Sequence, residues 1–127
     1  MELHSIPLHQ VAQHADDLDR AVAFYRDVLG CQFIAAFDPP GLAFFQLGGT
    51  RLLLDQAAPS ALLYLGVDDV RATTEKLRAA GVTVDTGPHV IFTDSDGMFG
   101  PPAEEWMSFI RDSEGNLVGL ASRAPIA

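Results

Sequence analysis

The sequence predicts an α+β fold, a single domain spanning residues 1–127 and made of two similar halves, each running strand, helix, then three strands. Three observations predict it. Ala15-Asp16-Asp17-Leu18 returns as Val67-Asp68-Asp69-Val70, an offset of 52 residues (67 minus 15), which marks an internal repeat. In each half the acidic pair separates a strand-like run from a helix-like one, and the helix-like run ends at a glycine, Gly30 or Gly81. Late in each half, Gly49-Thr50-Arg51-Leu52-Leu53-Leu54 and Gly115-Asn116-Leu117-Val118-Gly119-Leu120 correspond by position.

The first half covers about residues 5–57. Leu8–His14 reads as its opening strand. Asp16 or Asp17 caps the helix that follows, accepting backbone N–H groups left unpaired in the first turn. Leu18, Ala21, Val22, Tyr25 and Leu29 then recur at helical spacing on one face. Gly30 suits the left-handed residue that stops a helix. Strands are predicted at Gln32–Asp38, Ala43–Leu47 and Arg51–Gln56, with turns at Pro39-Pro40-Gly41 and Gly48-Gly49. Ala57-Ala58-Pro59-Ser60 is a hinge too short to separate independent domains.

The second half covers about residues 60–123. Ala61–Val67 is its first strand. Asp69 caps a helix carrying Val70, Thr74 and Leu77 inward and Arg71, Glu75, Lys76 and Arg78 outward, ending at Gly81. Strands follow at Val82–Asp85 running on toward Val90, at Glu105–Arg111, and after the Glu114-Gly115-Asn116 turn at Leu117–Ser122. The stretch from Thr93 to Ala103 is longer than its counterpart in the first half. Glycines flank Met98 and Phe99 there, which predicts a flap with an apolar tip. Asp94-Ser95-Asp96-Gly97 lacks the spacing of a calcium loop.

Composition excludes several function classes. The formal net charge is −9, and the 8 basic residues are scattered, so no nucleic-acid partner is expected. The acidity predicts solvated helix faces and favours a cationic over an anionic ligand. No apolar run approaches a membrane span, and no secretory leader is expected from the N-terminus. Cys31 is the single cysteine; without a partner or a flanking base it reads as a small core hydrophobe in a reducing, cytoplasmic protein. Walker loop, GxGxxG, GxSxG and Ser-His-Asp patterns are missing.

Four stretches carry a resemblance to a known family: Gln10-Val11-Ala12 leading to Asp17-Leu18; Phe24-Tyr25-Arg26-Asp27-Val28-Leu29-Gly30; Gly66-Val67-Asp68-Asp69-Val70 leading to Gly81-Val82; and Phe109-Ile110-Arg111-Asp112-Ser113-Glu114-Gly115-Asn116. In this order they resemble the vicinal oxygen chelate superfamily, which includes glyoxalase I, extradiol dioxygenases and bleomycin-resistance proteins. Ser113 stands where the family often has proline. The resemblance implies two βαβββ modules forming a cleft-shaped, partly closed mixed sheet, and a homodimer, sometimes with exchanged modules.

The resemblance also implies where a divalent ion sits in metal-dependent members. Each module supplies a ligand from its first strand and one from its last. Those positions fall on Gln10 and near Leu53 in the first half, and on Leu62 and Gly119 in the second. Only Gln10 offers a donor atom, so the expectation is a cleft with no metal and no cofactor. The alternative is one divalent metal ion at a displaced site, or an acid/base cluster, built from Gln10, His14, Asp55 and His89. His4 and His9 are expected at the surface.

Phe45, Tyr64, Phe99, Trp106, Phe109 and Arg111 are the candidate ligand-binding residues, since organic ligands need apolar walls with a few polar groups. Along the strand, Trp106, Ser108 and Ile110 take one face and Met107, Phe109 and Arg111 the other. Periodicity alone leaves open which set meets the core. Two functions follow: a protein that binds a small hydrophobic or cationic organic molecule, or a lyase, isomerase or dioxygenase using the alternative site.

Overall fold

The computed structural model describes residues 7–127; His4 and the first residues assigned to the first half lie outside the described residues. The chain divides into two compact units, Met1–Ala61 and Leu62–Ala127. In the first, β1 (Gln10–His14), α1 (Leu18–Ala23), β2 (Gln32–Phe37), β3 (Leu42–Leu47) and β4 (Thr50–Asp55) follow in order. The second holds β5 (Leu63–Gly66), α2 (Val70–Ala79), β6 (Val84–Asp94), β7 (Ala103–Arg111) and β8 (Leu117–Ala124). Each unit is therefore βαβββ. The sheets have orders β1-β4-β3-β2 and β5-β8-β7-β6, four strands each, and neither closes.

Both sheets are mixed in the same way. The first strand runs parallel to the last, and the remaining pairs are antiparallel. The repeat holds to the residue. Ala12 lies opposite Leu53, and 52 residues on (64 minus 12) Tyr64 lies opposite Gly119.

Each helix covers one face of its own sheet. α1 packs on β3 and β4, and α2 on β6, β7 and β8. In the first unit Leu52, Leu54, Ala43 and Phe45 on that face are fully buried. In the second, Val118, Leu120 and Ile110 fill the same role. Burying such a side chain stabilises by about 1.5–3 kcal/mol before entropy is subtracted. The carboxylates of Asp17 and Asp69 cap the helices, accepting from Arg20 N–H at 3.0 Å and from Arg71 N–H at 3.0 Å. Gly30 and Gly81 stop them with positive φ of 72° and 88°.

Two elements differ from expectation. The first helix does not run α-helical to Leu29; after Ala23 it widens into a π turn, Phe24–Val28, closed by Leu29 N–H donating to the Phe24 carbonyl at 3.0 Å. The wider turn lets the adjacent Phe24 and Tyr25 both face inward, and both are buried. β6 is also longer than predicted. It passes through Gly87 and Pro88 with three breaks in its pairing to β7. It is an edge strand, where a residue without an N–H is tolerated. Burial pushes the Cys31 thiol up, away from the reactive thiolate. No helix of the described residues is long and apolar enough to cross a membrane.

Candidate functional site

Strand alternation places alternate side chains of each sheet on the face away from its helix. In the first unit that open face carries Gln10, Ala12 and His14 from β1, opposite Arg51, Leu53 and Asp55 from β4. Phe44 of β3 lies opposite Leu53. In the second unit it carries Tyr64, Met107, Phe109 and Gly119.

Three of the four candidate catalytic residues thus share one face. Gln10 Oε1 accepts a hydrogen bond from Arg51 Nε at 2.7 Å. His14 lies opposite Asp55. His14 Nδ1 is 3.0 Å from the Ala58 carbonyl oxygen, and Nε2 is 2.6 Å from Asp16 Oδ1. Both partners only accept, so a ring nitrogen bonded to either of them is the donor. Asp55 Oδ1 instead accepts from the Ala57 N–H at 2.8 Å. His89 belongs to the second unit, exposed on β6 opposite Met107, with Nδ1 2.9 Å from its own Gly87 carbonyl.

Of the six candidate ligand-binding residues, Tyr64, Phe109 and Arg111 take the open face of the second sheet. The Tyr64 and Phe109 rings meet edge to face, centroids 6.0 Å apart. Arg111 pairs with Asp85 at 3.3 Å and donates to the Gly115 carbonyl. Phe99 sits in the loop after β6, 68% exposed and edge-on to Phe92. Phe45 and Trp106 turn the other way, toward the helix side of their sheets. Phe45 is fully buried on the helix side between Tyr25 and Phe33. Trp106 follows Ser108 and Ile110 to the α2 side, where the Arg71 guanidinium lies 4.3 Å from its ring.

The four positions that the resemblance assigns to metal ligands can be tested on this geometry. Leu53 and Leu62 present hydrocarbon. At Gly119 an added Cβ would fall 2.7 Å from Tyr64 Cδ2, so an aromatic ring occupies the space a ligand side chain needs. The one amide oxygen, on Gln10, already accepts from a guanidinium whose full positive charge repels a second cation. Among the described residues no three His, Cys, Asp or Glu side chains are grouped to hold an ion. These residues do not fit a divalent metal.

Two features escaped the sequence reading. Arg51 is one; its parity with Leu53 is visible along β4, but its pairing with Gln10 depends on register. The other is the anchor of the Met98–Phe99 loop. Asp94, 1% exposed, accepts from the N–H groups of Met98 at 2.8 Å and Phe99 at 3.0 Å, and from Arg123 Nη2 at 2.9 Å. The Phe99 N–H, then Arg123 and the Met98 N–H, hold the Asp94 carboxyl at about 2, below its ordinary 3.8. The carboxylate is thus bound by its own loop and by Arg123 of β8.

Residues 8–120 match the model of the Glyoxalase/Bleomycin resistance protein/Dioxygenase superfamily. A glyoxylase-like domain-containing protein of Didymella fabae is 29% identical over 126 residues, covering 86% of this chain and 88% of that protein. The crystal structure of lactoylglutathione lyase from Agrobacterium tumefaciens superposes with a TM-score of 0.71 at 26% identity, over 94% of this chain and 96% of that one. A superfamily member from Sphaerobacter thermophilus gives 0.72 at 19% identity, over 94% and 99%, which bears on the fold alone.

Proposed function

The chain belongs to the glyoxalase/bleomycin resistance protein/dioxygenase superfamily, and on that premise we propose that it binds a small organic molecule on its open sheet faces without a metal ion. One observation carries the reading. At the four positions that the resemblance assigns to metal ligands, this chain has Gln10 bonded to Arg51, two leucines, and a glycine overlain by Tyr64. The donor set for a Lewis acid is missing, and aromatic and aliphatic surface stands in its place. Such surface, with a few polar groups, is what an organic ligand requires.

The likeness to a lactoylglutathione lyase would favour an enzyme of the glyoxalase type. The engaged nitrogens of His14 and the unsuitable metal positions weigh against that chemistry here. A binding role, of the kind bleomycin-resistance proteins resemble, needs neither.

The test is a pair of melting-temperature titrations. One uses nickel, zinc, manganese and iron(II), with bound metal measured on the purified protein. The other uses a panel of small aromatic and aliphatic compounds. A ligand of the native state raises the melting temperature by mass action. The expected result is stabilisation by organic compounds, weakened in Tyr64→Ala, and none by metals. Stoichiometric metal with a clear stabilisation would overturn the reading.

A further inference from the structure

The overall charge of −9 draws cations, yet the open face of the first sheet carries a lone guanidinium. Four other arginines are paired with carboxylates: Arg26 with Asp27, Arg78 with Glu75, Arg111 with Asp85, and Arg123 with both Asp94 and Glu105. Among the described residues no carboxylate forms an ion pair with Arg51. Its surroundings are neutral or aromatic. Nε donates to Gln10, Nη2 lies 3.4 Å from His9 Nε2, and the guanidinium carbon is 5.3 Å from the Phe44 ring centroid. Arg51 is only part exposed, and Leu53 follows it on the same face.

Each of these contacts orients the guanidinium without cancelling its charge. The Gln10 bond fixes the Nε edge, and the ring supports one side of the plane. Nη1 is left without any of these contacts. A planar fork of this kind matches a carboxylate, and charge-assisted hydrogen bonds of this type are among the strong ones. The cation also adjoins Gln10, the one metal-ligand position that keeps a donor.

We propose that Arg51 is an anion-binding group, and that the open face of the first sheet receives a small organic carboxylate whose apolar body rests on Phe44 and Leu53. The inference rests on the metal-free binding reading above and reverses the ligand sign suggested by net charge alone. The local field of a held guanidinium outweighs the diffuse acidity of distant, solvated side chains, which salt screens within about 10 Å.

The probes are phenylacetate, its neutral isostere phenylacetamide, and the cation phenethylamine, titrated against the whole protein by isothermal calorimetry and by chemical-shift perturbation. Phenylacetate is expected to bind tightest and to shift the Arg51 and Gln10 side-chain signals. In Arg51→Met, which keeps the aliphatic stem, phenylacetate affinity should fall about tenfold or more, the loss of one charge-assisted contact. Phenylacetamide affinity should change little, which shows that the face itself survives. Arg51→Lys should restore part of the loss. If phenethylamine or phenylacetamide binds as tightly as phenylacetate, or Arg51→Met leaves phenylacetate unchanged, the inference falls while the organic-binding reading stands. No phenylacetate binding at millimolar concentration also overturns it. Stoichiometric metal binding would instead remove the reading beneath it.

Discussion

Tyr64 lies across Gly119, its opposite residue in the parallel β5–β8 pair, so closely that a Cβ on Gly119 would stand 2.7 Å from Tyr64 Cδ2 and 3.2 Å from Phe109 Cε1. The glycine is therefore a packing requirement of the aromatic pair. Gly119→Ala should displace the rings and cost about 1 kcal/mol, the low end for over-packing because Tyr64 is 54% exposed and can yield. Chemical denaturation of Gly119→Ala, Tyr64→Ala and the double variant checks it. The double variant should be less destabilised than the two singles added together. Simple additivity would mean that the ring swings clear at no cost.

Gln13 makes the opposite kind of prediction. It sits on the helix side of β1, fully buried, and among the described residues neither its Oε1 nor its Nε2 has a hydrogen-bond partner. An unsatisfied buried amide costs about 1–3 kcal/mol. Gln13→Met keeps the shape and removes both polar atoms, so the denaturation midpoint should rise. A fall would show that the amide is satisfied in solution, by a buried water.

Thr74 and Ser108 tie α2 to β7 through buried hydroxyls 2.7 Å apart, with Thr74 Oγ1 also 2.6 Å from the Val70 carbonyl to which it donates. Ser108 is then the donor to Thr74. Ser108→Ala removes that donor and should cost about 1 kcal/mol, and Thr74→Val, which strands the Ser108 hydroxyl, should cost more. Equilibrium unfolding of the two singles and the double should return a coupling of about 0.5 kcal/mol or more. A coupling near zero would sever the link.

Asp94 predicts an acid limb of stability. Its folded-state value of about 2 lies below the ordinary 3.8, so the carboxylate contributes stability above pH 3.8 that is lost as pH falls toward 2. Melting temperature followed from pH 5 to pH 2 should drop across that window in the wild type. Asp94→Asn should melt lower at pH 5 and show a shallower fall. An identical acid limb in the variant would place the responsible group elsewhere.

Local chemistry made much of this protein legible from its residues. The acidic pairs at Asp17 and Asp69 cap helices because a carboxylate satisfies N–H groups only a few residues away. Gly30 and Gly81 end those helices because a left-handed residue there needs no side chain. The repeat and the eight strands follow from sequence order, since each is a statement about one position or one period. Gln10, His14 and Asp55 also share a face as alternation implies.

Non-local pairing decided the rest. A period of two says that Trp106 and Phe109 face opposite ways, but not which of them meets α2. Only the packing of Thr74 against Ser108 puts Trp106 beneath Arg71 and leaves Phe109 with Tyr64. Phe45 and Phe44 divide in the same way, the first into the core and the second beside Arg51. The meeting of Arg51 with Gln10, 41 residues apart, depends on the register of two parallel strands, which is set by the helix and hairpin between them rather than by either residue.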